Sequence, residues 1–159
     1  MKRSGKKSFL IFLFVILTSL AEIWAENKTL APDSEHVKKL GRTYEHSKGL
    51  ILAFSASGIE FNVNAKYLGV TIAGDSGVSG SENNSSARIV AFVNGQRFLD
   101  KMISKKSETF TIFDEDKNVE GLVQILKVSE SANSLAAITS LTVNENGIYR
   151  RFYYLWLWS

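Results

Sequence analysis

The sequence predicts an all-β fold, a jelly-roll β-sandwich of about eight short antiparallel strands, preceded by a signal peptide. Three observations predict it. Apolar and polar residues alternate in short runs, the period of a half-buried strand. Turn residues recur roughly every eight to twelve positions. No segment carries the apolar stripe of an amphipathic helix.

The first 25 residues read as a leader. Lys2, Arg3, Lys6 and Lys7 form a positive start, and an apolar run over residues 9–20 follows, broken only by Thr18 and Ser19. Small residues at Ala21 and Ala25 suit cleavage, with Ala25 preferred. The run is well short of the roughly 20 residues that span a bilayer, so a membrane anchor is disfavoured. The chain has no cysteine, which excludes a lipid-anchored leader. The leader removes four of the 19 basic and one of the 16 acidic residues, leaving 15 of each. A neutral chain lacks the Lys/Arg excess on which nucleic-acid affinity rests. Removing 25 of the 159 residues leaves 134, enough for one hydrophobic core without disulfides. The expected location is secreted or periplasmic, and the absence of disulfides points to a bacterial source.

Residues 26–36 are polar and hold the only proline, Pro32, so they read as a linker. Residues 50–56 form a strand candidate, ended by a turn at Ser57-Gly58. Ile59, Phe61 and Val63 alternate with Glu60, Asn62 and Asn64. A short turn and a strand over residues 67–73 follow. Residues 77–86 are rich in Gly, Ser and Asn and read as a loop with no helix. Residues 88–93 and 96–102 flank Asn94-Gly95, the pair that a type I′ hairpin turn requires. Strands are expected at 109–113, 121–128 and 136–143, with a charged hairpin loop after the first. Phe54, Phe61, Phe92, Phe98 and Phe110 are expected in the core. The sandwich is thus placed over residues 37–144. Residues 145–159 end in IYRRFYYLWLWS, a run of aromatic and aliphatic residues that does not alternate. It reads either as a buried final strand or as an out-of-frame tail.

The most conspicuous motif is Gly74-Asp75-Ser76 at the end of a strand, the look of the nucleophile block of SGNH hydrolases. A serine nucleophile needs a base to activate its hydroxyl. The only histidines are His36 and His46, both N-terminal to Ser76, and no downstream Asp-x-x-His or Gly-x-Asn-Asp block exists. Ser76 is therefore read as a turn residue, with a stand-alone serine esterase as the weakest alternative. Asp114, Asp116 and Asn118 match positions 1, 3 and 5 of an EF-hand loop, but Val119 replaces the required Gly and Ile125 the required Glu. Two histidines ten residues apart and no cysteine do not make a zinc site. No metal or cofactor is expected. Sugar-binding sandwiches stack pyranose rings on exposed aromatics, which leaves Arg42, Tyr44 and Tyr67 as candidate carbohydrate or interface residues. Their bland alternatives are a surface ion pair for Arg42 and a core edge for Tyr44.

The series VKKLGRTYEHSKGLILAFSASGIEFNVNAKYLGVTIAGDS, RIVAFVNGQRF, TFTIFDED and VQILKVSESANSLAAITSLTVN, taken in order, resembles the N-terminal jelly-roll domain of carbohydrate esterase family 2. The resemblance spans residues 37–144. It implies a β-sandwich that precedes an SGNH-type catalytic domain in enzymes that remove acetyl groups from xylan and mannan. The catalytic Ser and His of that family belong to the second domain, so none is carried over. The implied role is a non-catalytic accessory domain, with that catalytic domain and plant polysaccharide as partners and without the catalytic domain in this chain. A free-standing carbohydrate-binding module is the alternative.

Overall fold

The computed structural model describes residues 27–80, 87–130 and 134–144. The expected leader over residues 1–25 and the aromatic tail over 145–159 lie outside the described residues. Among the described residues, nine strands and one short helix appear in the order β1 (Asn27–Leu30), β2 (Lys38–Leu40), β3 (Thr43–His46), β4 (Gly49–Leu52), β5 (Gly58–Ala73), α1 (Asp75–Ser79), β6 (Arg88–Val93), β7 (Gln96–Met102), β8 (Ser107–Lys127) and β9 (Ala136–Asn144). All strand pairs are antiparallel, in the order β3-β4-β9-β5-β8-β6-β7, with β1 added to β9 and β2 to β5.

The two longest strands make this sheet a sandwich. Residues 58–65 of β5 pair with residues 119–126 of β8, beside β6. Residues 67–73 of β5 pair with residues 107–114 of β8 on one side and with β9 on the other. One hydrophobic cluster holds Phe61 and Val63 from the first half, Val70 and Ile72 from the second, and Ile89, Leu50 and Leu141 from the flanks. The sheet therefore curls until its inner face packs on itself, as a sandwich requires.

The short turn expected before Tyr67 is instead a β-bulge inside one continuous strand. In the first half of β5 the buried residues are Ile59, Phe61, Val63 and Ala65; in the second they are Leu68, Val70 and Ile72. The buried set changes from odd to even positions across Lys66 and Tyr67, where the register shifts. Between these pairs Lys66 alone on β5 stands against residues 115–118 of β8, and this irregularity shifts the alternation so that both halves feed the same core. Asn144, itself buried, holds the bulge: its Oδ1 accepts from the backbone amides of Lys66 at 3.1 Å and Tyr67 at 3.4 Å. Asn144→Ala should cost about 1–2 kcal/mol, because it leaves two part-buried amides without their acceptor. Urea unfolding would show it, and an unchanged midpoint would assign the bulge to packing alone.

Other expectations are corrected too. The supposed linker over residues 26–36 contains β1, whose residues from Asn27 to Leu30 pair with Asn144 to Leu141 of β9. A ladder needs only backbone groups, so polar side chains did not announce it. The charged hairpin loop after residue 113 is part of β8, and the Asn118 side-chain amide donates to Asn64 Oδ1 at 2.9 Å. Phe61 is buried, but Phe54 is 55% and Phe98 40% exposed. Phe54 lies beyond the end of β4 in a turn where Ser57 N donates to Phe54 O. A register shift between β6 and β7 leaves Leu99, not Phe98, on the core side. The Asn94-Gly95 hairpin turn is present, with φ of 51° and 79°.

Candidate functional site

β9 changes partners along one edge. Its ladder with β4 ends at the Leu50–Ile138 pair, and its ladder with β1 begins at Leu30–Leu141. Thr139 and Ser140 lie between the two. A cleft of about 240 Å³ opens there, with Thr139 in its lining. The turn after β1 forms one wall through buried Pro32 and exposed Asp33. The β3–β4 hairpin forms the other through Glu45, His46 and Leu50.

The polar groups of this cleft are partly committed. Glu45 forms an ion pair with Lys39, which anchors its carboxylate at the rim. His46 Nδ1 accepts from the backbone amide of Lys48 at 3.3 Å, so in the neutral ring Nε2 carries the proton and is a donor. Thr139 Oγ1 donates to Thr71 O at 3.0 Å and keeps its lone pairs for acceptance. The site thus joins two acceptor-only carboxylates and a donor, with exposed Ala31 at its edge and buried Pro32 and Leu50 behind it.

The sequence candidates lie elsewhere. Arg42 is exposed, and its guanidinium sits over the Phe54 ring, 5.1 Å from the centroid. The turn beneath this pair is tied by Ser57 Oγ, which donates to Arg42 O at 3.0 Å. Tyr44, 49% exposed, stands on β3 opposite Ile51. Tyr67 is half-buried on β5, its side chain laid over Gly69, so that a β-carbon there would meet the Tyr67 hydroxyl at 2.7 Å. Ile51 is level with Ala137 and Leu68 with Val143, so most of the length of β9 separates Tyr44 from Tyr67. The structure does not bring the three together.

Ser76 occupies the second position of α1, where the sequence predicted no helix. One turn forms because Gly77 packs against the Lys106 carbonyl, where a side chain would not fit, and Gly80 closes it in the left-handed region at φ 76°. Lys48 Nζ caps its end by donating to the carbonyls of Gly77 and Val78 at 3.0 and 3.2 Å. His46 is turned to Lys48 and the cleft, and His36 Nε2 lies 3.6 Å from Glu35.

A second polar group sits under the loops at the β4 end of the sandwich. Lys127 lies on the inward row of β8 after Val123 and Ile125 and is fully buried. Its Nζ donates to Ala53 O at 3.2 Å. Loss of solvent lowers its pKa, and the Asp75 carboxylate opposes that shift. Asp75 is also buried and accepts from the Leu135 backbone amide at 3.3 Å.

Sequence reasoning set His46 aside as a zinc ligand and placed Asp33 in a linker. Neither carries a local signal for the cleft, which exists only because β1 and β4 share the edge of β9.

No family model and no curated protein sequence matches the chain. Solved structures do. A family two carbohydrate esterase from Cellvibrio japonicus superposes with a TM-score of 0.67 at 16% identity, over 79% of this chain and 35% of the esterase. An acetyl xylan esterase from the rumen bacterium Butyrivibrio proteoclasticus gives 0.64 at 14% identity, over 80% and 34%. The CBM36-1 domain of a multidomain xylanase from the hindgut metagenome of Trinervitermes trinervoides gives 0.58 at 13% identity, over 77% of this chain and all of that domain. The chain spans about a third of the length of the esterases it matches, and it shares with that third, and with the whole xylanase module, one β-sandwich fold.

Proposed function

We propose that the chain is a secreted, non-catalytic accessory domain of a polysaccharide acetyl esterase, and that it associates with plant polysaccharide. The observation that carries this reading is the unequal coverage. The same strands superpose on a third of two carbohydrate esterases and on the whole of a xylanase's carbohydrate-binding module. A fold that is a fraction of one protein and all of another is a portable unit, and both settings are proteins named for action on carbohydrate, the esterases and a multidomain xylanase. An SGNH-type domain is the catalytic partner this reading implies.

Three measurements on the purified chain test it. Retention on insoluble xylan or mannan is expected, with no release of acetate from acetylated xylan and no labelling by a serine-directed fluorophosphonate. Acetate release abolished by Ser76→Ala would replace this reading with a stand-alone esterase. Failure to be retained by either polysaccharide would remove the binding role.

A further inference from the structure

We infer that the cleft between the β1 turn and the β3–β4 hairpin is a glycan site that takes one sugar ring. This inference rests on the polysaccharide association proposed above and gives it a location.

The volume comes first. At about 240 Å³ the cleft is smaller than the roughly 300–1,000 Å³ of pockets for drug-sized ligands, and so suits a single ring rather than an enclosed oligosaccharide. Its chemistry comes second. Asp33 and Glu45 accept only, and a vicinal diol presents two hydroxyl donors that a carboxylate can bind with both oxygens. The His46 Nε2–H donates, which suits a ring or acetal oxygen. Exposed Ala31 is the accessible apolar contact for the C–H face of a pyranose, and buried Pro32 and Leu50 back the cleft from behind. The Asp33 carboxylate, which Lys39 does not offset as it does Glu45, also disfavours anionic ligands such as phosphate.

Pre-organisation is the third argument. Glu45 is held by Lys39 and His46 by the Lys48 amide. Pro32 is fixed and buried beside the β1–β9 ladder. These groups lose little freedom when a ligand arrives, and that reduces the cost of binding. The open side of the cleft leaves room for a longer chain to continue into solvent.

The test is a titration of the isotopically labelled full chain with xylohexaose and, separately, mannohexaose, followed by amide chemical shifts. Saturable shifts are expected at Glu45, His46, Ser47 and Thr139 with at least one of the two. Glu45→Gln and Asp33→Asn should each weaken binding about tenfold, the loss of one charge-assisted hydrogen bond. Ser47→Trp, which fills the cleft and keeps both carboxylates, should abolish it. Each variant should keep the wild-type melting temperature, since these side chains stand at the rim. Binding that persists in all three variants, or shifts confined to Arg42, Tyr44 or Tyr67, would overturn the cleft and leave the accessory-domain reading in place. No binding to either hexasaccharide or to insoluble xylan and mannan would overturn both.

Discussion

Gly58→Ala is expected to destabilise the fold by about 3 kcal/mol, near the upper end of the cost of overpacking a core. Gly58 is buried at the start of β5 and pairs with Leu126 of β8, in the ladder that joins the two longest strands. A β-carbon there would overlap the Ile125 carbonyl oxygen and press on the Leu126 side chain. The oxygen is backbone in a central strand, so it cannot swing away as the end of a flexible side chain would. Relief requires moving β5 from β8, and both neighbours of the contact are core: Ile59 and Ile125 are fully buried. A melting temperature lower by roughly 10 °C should follow, measured by the loss of β circular dichroism on heating. A variant that melts with the wild type would show that β5 and β8 separate here at little cost, and the close approach would then not be a determinant of stability.

Lys127→Ala is expected to cost about as much, for a different reason. Its four-carbon stem fills core volume in line with Val123 and Ile125, and truncating a long buried side chain typically costs about 2–5 kcal/mol. The substitution also leaves Ala53 O without its donor and Asp75 without a nearby cation. Lys127→Met keeps the stem and isolates the charge. Burial lowers the Lys127 pKa below its ordinary value of 10.5, so between the two values the unfolded chain binds the extra proton. Stability then rises with pH across that window. The burden is present in full below the folded pKa and is relieved as pH climbs towards 10.5. Wild type should therefore gain on Lys127→Met as urea unfolding is repeated from pH 7 towards pH 10. A gap between the two that stays constant over this range would mean that the ammonium group is as well solvated in the folded chain as in the unfolded one.

Much of the strand content was legible because it rests on neighbours in sequence. The alternation of Ile59, Phe61 and Val63 predicts one buried face, and all three are buried. Asn94-Gly95 predicts its hairpin because two consecutive positive φ angles suit few other pairs. Legibility failed where geometry depends on distant residues. Ala65 and Lys66, between Asn64 and the strand from Tyr67, looked like a turn. In the folded chain they lie at a bulge, held by Asn144 from the last strand. Residues 27–30 looked like a linker because a ladder along an edge asks nothing of side chains. Phe54, expected in the core, is exposed, and Lys127, a charged residue, is buried. The turn set by Ser57 carries the aromatic ring outwards, and the alternation of β8 carries the lysine inwards.

The sequence by itself determined the class of the fold, the positions of most strands and the inward face of the first half of β5, since each follows from a two-residue period and from turn chemistry within a few positions. Only the tertiary structure decided that Asp33, from the segment after β1, stands across a cleft from Glu45 and His46 on the β3–β4 hairpin. The physical reason is that two strands far apart in sequence complete successive stretches of one edge of β9. The gap between them belongs to the pairing of the sheet and to no single segment of the chain.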